Sequence, residues 1–596
     1  MRKCIRPERA IACLLCLSYV SYVSYVSYVS YVLHAFDDDD DDASPDSLRS
    51  DFMSVPLPSM IRRTSLLALF TAACTTGTAT RPVPPAPAPV PSAPVPTTPT
   101  ERVLPEPPVV AREFRGVWVA SVDNIDWPTR RDLTTEEQQR ELLAILDRAR
   151  ALGLNAILLQ VRPAADALYP SRIEPWSEYL TGRQGRAPSP AWDPLAFAVR
   201  EAHARGLELH AWLNPYRAKH PSASGPLDPS HIAERVPGAV WRYGSYLWMD
   251  PGDSVGVAQS MAVIEDLVRR YDIDGIHVDD YFYPYEERDR AGQIIPFPDS
   301  QTTYARYVAR GGTLALGDWR RANVDAWVRG MYERTKAIKP WVKVGISPFG
   351  IWRPGFPADV RGFDSYDKLY GDSRKWLREG WLDYASPQLY WPIAKDGQRY
   401  PSLLAWWAGE NVRGRHLWPG NYTGRTGGAG WAARELVDQI AITRAERGAG
   451  GNVHFSMAAL MPARPDRRTG VVRERPALDT LVRTLASETY ALPALVPASP
   501  WLARDRDVLA AATIESTRTG ALRARLPRGA VARTWLVHAW TGRAWRTTLV
   551  PHTGDGDTID IPLTALDGAV GAWISWTDRT GREAPRSVWF RDVATR

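Results

Sequence analysis

Residues 275–284 read Gly275-Ile276-His277-Val278-Asp279-Asp280-Tyr281-Phe282-Tyr283-Pro284, a buried strand that runs into two adjacent carboxylates, three aromatics and a proline stop. Ionisable pairs at the end of an apolar strand are costly unless they have partners or do chemistry. A strand alternates its faces, so His277, Asp279 and Tyr281 fall on one side and Ile276, Val278 and Asp280 on the other.

Outward from this strand the same texture repeats. Short apolar segments are expected as strands at Phe114–Ser121, Ala156–Arg162, Leu207–Asn214, Val342–Pro348, Tyr384–Trp391, His416–Tyr422 and Asn452–Ala458. Amphipathic stretches between them read as helices, among them Thr135–Leu152, Pro194–Arg205, Ala258–Tyr271, Trp319–Ile338 and Ala432–Arg447, with a last one near Ala477–Ser487. Eight strands alternating with helices predict an α/β fold, a (β/α)8 TIM barrel over residues 112–492. A doubly wound open sheet lacks its Gly-x-Gly-x-x-Gly turn here. After Leu492-Pro493 the rhythm changes to short alternating strands between Gly, Pro and Asp turns, from Thr513–Ala524 to Ser587–Phe590. That pattern predicts a C-terminal β-sandwich of fibronectin-III or immunoglobulin (Ig) type over residues 493–596.

The 596 residues include 25 Trp and 24 Tyr but only 12 Phe. Indole and phenol rings offer a flat apolar face with a polar edge, suited to sugar rings as well as to cores. The four cysteines are Cys4, Cys13, Cys16 and Cys74, which leaves the folded region without a disulfide framework or cysteine-based zinc site. Histidines are scattered, so no metal and no other cofactor is expected. The net charge of +6 is spread rather than clustered, and no nucleic-acid motif is present.

Five Ser-Tyr-Val triplets (Ser18–Val32) and six aspartates (Asp37–Asp42) mark residues 1–59 as a leader of repetitive DNA read from an early start, or a disordered segment. Residues 60–73 carry Arg62 and Arg63 before a short apolar run that ends at Cys74, the pattern of a bacterial lipoprotein signal with Cys74 as the lipidated residue. Thr75 follows instead of Asp, so the periplasmic face of the outer membrane is the expected destination, with a soluble periplasmic or secreted form as the alternative. Residues 74–111 are a Pro-rich tether that cannot bury a core.

In a barrel the chemistry sits at the C-terminal strand ends. Strand one offers Trp118, strand two Gln160 and Arg162, and strand three His210, Asn214 and Tyr216. Strand four offers Asp279, Asp280, Tyr281 and Tyr283, strand six Gln388, Tyr390 and Trp391, and strand seven Asn421. Polar and aromatic residues at one end of nearly every strand describe a wet, aromatic cleft suited to carbohydrate.

The segments Glu-Phe-Arg-Gly-Val-Trp-Val-Ala (113–120), the decapeptide at 275–284, Asp-Trp-Arg-Arg-Ala-Asn-Val (318–324), Gly-Ile-Ser-Pro-Phe-Gly-Ile-Trp-Arg (345–353) and residues 372–391 resemble the glycosyl-hydrolase-like family ten. The resemblance spans about residues 112–490. It implies a barrel glycosidase of the bacterial envelope acting on peptidoglycan glycan strands, above all those stripped of stem peptides. The alternative is a cell-wall carbohydrate-binding lipoprotein without catalysis. Residues 274–279 also echo the strand-four signature of family-eighteen chitinases, whose acid is a Glu two positions after the last Asp; Tyr281 stands there in this chain. Asp279 and Asp280 are the expected catalytic residues, Asp279 charged and Asp280 the proton donor. The sugar is left to Trp118, Gln160, Arg162, His210, Asn214, Tyr216, Tyr281, Tyr283, Gln388, Tyr390, Trp391 and Asn421. The sequence leaves the oligomeric state open.

Overall fold

The computed structural model describes residues 103–591, apart from 466–469, 505–506, 508, 518–520 and 555. The leader, the signal and Cys74 lie outside the described residues. Among the described residues no helix is long and apolar enough to cross a membrane.

Eight parallel strands form the barrel: β1 (Phe114–Val119), β2 (Ala156–Arg162), β3 (Glu208–Leu213), β4 (Gly275–Val278), β5 (Lys343–Ile346), β6 (Tyr384–Ala385), β7 (His416–Leu417 and Gly420–Asn421) and β8 (Gly451–His454). β7 is split because Pro419 has no N–H to give to the ladder. Its first half pairs with β6 (Ala385 opposite Leu417) and its second half with β8 (Asn421 opposite His454), and β8 pairs with β1, so the ring closes. Around it lie helices α1 (Thr135–Ala151), α2 (Pro194–Ala204), α3 (Ser254–Arg270), α4 (Leu316–Ile338), α5 (Ser373–Glu379), α6 (Tyr400–Glu410), α7 (Ala433–Ala445) and α8 (Pro476–Thr484). The start of α1 is fixed by a capping box in which Thr134 and Glu137 satisfy each other's backbone N–H. Its buried Leu142, Ile145 and Leu146 join Ile264 and Leu267 of α3 and Val324 and Val328 of α4 in one core between helices and sheet.

Inside the ring the filling is aromatic: Phe114 stacks on Trp418 at 3.7 Å, and Trp118, Trp212 and Tyr384 lie in the same cluster. Rings this large fit because their neighbours are glycines. A Cβ on Gly275 would meet the His210 ring at 2.5 Å, and one on Gly345 would meet Tyr384 at 1.9 Å.

The C-terminal sandwich has a three-stranded sheet, Thr513–Ser516, Leu522–Arg525 and Thr558–Ile561, facing a four-stranded one, Trp545–Pro551, Ala532–Trp540, Gly571–Asp578 and Ser587–Phe590. The strand expected over Thr513–Ala524 is two antiparallel strands, Ile514 opposite Ala524. Between the sheets sit Trp535, Val537, Ile574 and Trp576.

The sandwich covers the N-terminal end of the barrel. Arg533 pairs with Asp274 just before β4, Arg579 pairs with Asp272, and Trp501 Nε1 donates to Asp383 at 2.9 Å just before β6. Burial works against ionising Asp274, yet Arg533 and His203 hold its carboxyl well below the usual range. The entering chain is strapped here as well: Leu104 lies on Gly571, the Pro105 carbonyl accepts from Trp573 Nε1 at 3.2 Å, and Ala111–Arg112 pairs with Ala494–Leu495. Arg533→Ala leaves Asp274 charged without its main cation, so a loss of about 3 kcal/mol is expected, read by denaturant unfolding at pH 7. An unchanged midpoint would remove Arg533 from the account of this interface.

Candidate active site

β4 ends at Val278, so Asp279 and Asp280 leave the alternation of the strand. Both become nearly buried, 6% and 4% exposed, and both meet residues from the C-terminal ends of neighbouring strands. Asp279 accepts from Asn214 Nδ2 at 2.6 Å, from Trp212 Nε1 at 3.1 Å and from the Tyr281 backbone N–H at 3.4 Å. Asp280 accepts from Gln388 Nε2 at 3.2 Å and from the Tyr285 hydroxyl.

Burial raises both carboxyls, but unequally. For Asp279 the field of Arg217 and the Asn214 hydrogen bond oppose the rise. For Asp280 burial is joined by the charge of Asp279, and the carboxyl is pushed up to about 7. The negative charge therefore belongs on Asp279, where donors and a cation converge, and the proton on Asp280.

The amide of Asn214 faces Asp279 for a reason several residues deep. Its Oδ1 accepts from Gln160 Nε2 at 3.2 Å and from Arg217, while Gln160 Oε1 accepts from the backbone N–H of Ser121 and Val122 at 3.0 and 2.9 Å. With Oδ1 occupied, only Nδ2 is left for the carboxylate. Under the pair, His277 Nε2 accepts from Trp118 Nε1 at 3.0 Å. An indole N–H only donates, so the imidazole is neutral with its proton on Nδ1, 3.0 Å from the Tyr384 hydroxyl. Burial and the nearby His210 hold His277 well below its usual range, which agrees. The phenol leads on to His210 Nδ1 at 2.8 Å, and His210 Nε2 to Glu208 at 3.0 Å.

Around the acids runs a chain of rings from successive strand ends: Tyr281 and Tyr285 (5.3 Å), Tyr285 and Phe363 (5.4 Å, stacked), Phe363 and Phe349 (5.1 Å), and Phe349 and Trp391 (5.7 Å). It continues through Tyr390 to Tyr422 (5.1 Å) and Phe455 (5.8 Å), and from Phe455 to Trp118 (6.1 Å). Tyr281, Tyr285, Phe363, Tyr422 and Phe455 are half-buried and suit the flat face of a pyranose, while Trp118, Phe349, Tyr390 and Trp391 are buried and back them.

Of the expected sugar contacts, Trp118, Tyr281, Gln388, Tyr390 and Trp391 belong to this wall or to the acids. Gln160 and Asn214 orient Asp279 from below, both fully buried. The others are displaced. Arg162 is held by Glu174 in a two-pronged pair at 2.8 and 2.5 Å, so its charge is spent inside the protein. His210 lies within the barrel against Tyr384. Tyr216 packs on Trp327 at 5.7 Å and Tyr283 between Phe297 and Tyr370, both in the core because they lie beyond the strand ends, where alternation no longer applies. Asn421 turns outward to Gln439 of α7 at 2.8 Å and to Asn452 at 2.7 Å. Tyr285, Phe363 and Phe455 are wall members that the strand-end reading passed over. Glu286 pairs with Lys368 at 2.8 Å, and the Glu287 carboxylate lies against Gly244. Among the described residues no cluster of three or more His, Cys, Asp or Glu is placed to hold a metal.

Residues 113–424 match the family described as Glycosyl hydrolase-like 10. Glycosyl hydrolase YngK of Bacillus subtilis (strain 168) is 41% identical over 405 residues, 66% of this chain and 74% of that protein. Glycosyl hydrolase DigH of Escherichia coli (strain K12) is 34% identical over 328 residues, 51% of this chain and 72% of that protein. Among solved structures, the PgaB (BpsB) glycoside hydrolase domain from Bordetella bronchiseptica aligns at 16% identity and a TM-score of 0.40, over 59% of this chain and 96% of that one.

Proposed function

Because this chain belongs to the glycosyl hydrolase-like 10 family and is a glycosidase, we propose that it cleaves the glycan strands of bacterial peptidoglycan, acting on strands free of stem peptides. The observation that carries the chemistry is the acid pair: Asp280, protonated near neutrality, beside a charged Asp279 within a wall of rings. Asp280 gives its proton to the glycosidic oxygen as the bond from that oxygen to the anomeric carbon breaks. Asp279 directly precedes it in the chain and is tied to Asn214 and Trp212 at the end of β3. It is thus poorly placed to attack the opposite face, as the second carboxylate of a two-carboxylate retaining enzyme does. It instead orients the 2-acetamido group of the sugar, whose carbonyl oxygen closes on the anomeric carbon. Asp280, now ionised, takes a proton from the water that opens this ring. N-acetylated sugars, the material of peptidoglycan, supply that acetamido group.

Mass spectrometry of material released from sacculi tests the reading. Disaccharide-repeat products are expected from amidase-treated sacculi, with far less from intact ones. Release from neither would overturn the substrate.

The chain is further proposed to be a lipoprotein at the periplasmic face of the outer membrane, held through Cys74. Cys74→Ala is expected to move it from the membrane fraction to the soluble periplasm. Retention in membranes would locate the anchor elsewhere, with the Ser-Tyr-Val segment first in line.

A further inference from the structure

β7 leaves the barrel mouth through the short turn Thr423–Arg425. Backbone bonds fix this turn: Gly424 N–H donates to the Phe455 carbonyl at 3.0 Å, Arg425 N–H to that of Tyr422 at 3.1 Å, and Gly428 N–H to that of Arg425 at 2.8 Å. Arg425 is half-buried, with its guanidinium 6.0 Å from the centre of the Tyr422 ring. Tyr422 stands against Tyr390, two residues beyond the Gln388 that donates to Asp280. The wall thus runs from the acid pair to a cation.

Among the described residues no carboxylate lies within ion-pair range of that guanidinium. Three other cations near the acids are engaged within the protein. Arg353 pairs with Asp364 and Asp367, Lys368 with Glu286, and Arg217 donates to Pro163 and Asn214. A guanidinium held over a sugar-stacking wall, with its fork unoccupied, matches a planar carboxylate.

We infer that Arg425 reads a carboxylate carried by the glycan: the lactyl carboxylate of a muramic acid residue whose stem peptide has been removed. The inference rests on the peptidoglycan reading above and gives a physical reason for peptide-free strands. While the peptide is attached that carboxyl is an amide without charge, and an amide forms no ion pair. A uronic acid residue would offer the same group from another source.

The experiment compares the purified full chain with Arg425→Gln and Arg425→Lys on three probes. These are peptide-free strands from amidase-treated sacculi, the same strands with their lactyl carboxyls converted to methylamides, and hyaluronate as a polymer of uronic acid and N-acetylglucosamine. The wild type is expected to favour the carboxylate strands over the methylamide strands by about tenfold in kcat/KM. Arg425→Gln brings that ratio close to one by losing rate on the carboxylate strands, and Arg425→Lys keeps part of it. Thermal unfolding checks that the variants are folded. A wild-type ratio of one, or a ratio that survives Arg425→Gln, overturns the inference while leaving the peptidoglycan reading standing. If the wild type cleaves neither strand, that reading has failed. Arg425-dependent cleavage of hyaluronate would then move the carboxylate to a uronic acid, and no cleavage of any probe would end the inference as well.

Discussion

Asp280→Asn is expected to lower kcat by about 10²-fold or more and, at pH 8, to raise the stability of the fold. The two effects share a cause. Burial and the charge of Asp279 push the Asp280 carboxyl from 3.8 to about 7, so the folded state favours the protonated acid. The resulting stabilisation is full below the unfolded value, is lost as pH rises from about 4 through 7, and stays lost above. A shift of this size corresponds to about 4 kcal/mol. Asparagine resembles the protonated acid: its carbonyl still accepts from Gln388, and its amide donates to the oxygen of Tyr285. The variant has nothing to ionise at this position and escapes the loss. Melting curves at pH 4 and pH 8 should coincide with wild type at the first and lie several degrees above it at the second. Both proteins still lose stability as pH rises, because burial also pushes Asp126 and Asp250 up to about 6 and Asp166 to about 7, so the test is the difference between the two curves and not the slope of either. Equal melting curves at pH 8 would show that Asp280 is not strained by ionisation, and unchanged turnover would remove it from the reaction.

Asp279→Asn is expected to do damage on two counts. Three donors converge on this carboxylate, from Asn214, Trp212 and the Tyr281 backbone. An asparagine carbonyl cannot serve them all while its own amide faces another N–H, so about 1–3 kcal/mol of stability should be lost. Turnover should fall by about 10²–10³-fold with the loss of the charge that orients and stabilises the reacting sugar. A third effect is specific to the coupling between the acids. The charge of Asp279 helps to hold Asp280 up, so its removal lets Asp280 ionise at lower pH. The alkaline limb of the residual pH–rate profile should therefore move toward acid. An unmoved limb with the fold intact would mean that Asp280 is not the proton donor.

Much of the barrel was legible because each strand is a short apolar run between amphipathic helices, and that periodicity depends on neighbours in the chain. The acid pair was legible too, since two carboxylates in an apolar strand have few ordinary explanations. What the sequence could not supply was direction. Asn214 and Asn421 look alike as asparagines at strand ends, yet one turns to Asp279 and the other to Gln439 of a helix outside the ring. The difference lies in which partners the fold brings near. Arg162 looks like a sugar-binding cation until Glu174, twelve residues on, is seen to hold it. Phe363 and Phe455 were missed for the complementary reason, as members of the wall only through the path of their loops.

The sandwich, the strapped residues from Leu104 to Arg112 and the Arg533–Asp274 pair all sit at one pole of the barrel, and the acids lie at the other. The enzyme therefore has a front and a back. The described chain runs in from behind, through Leu104 to Arg112, and the mouth with its acids is left clear of both that segment and the sandwich.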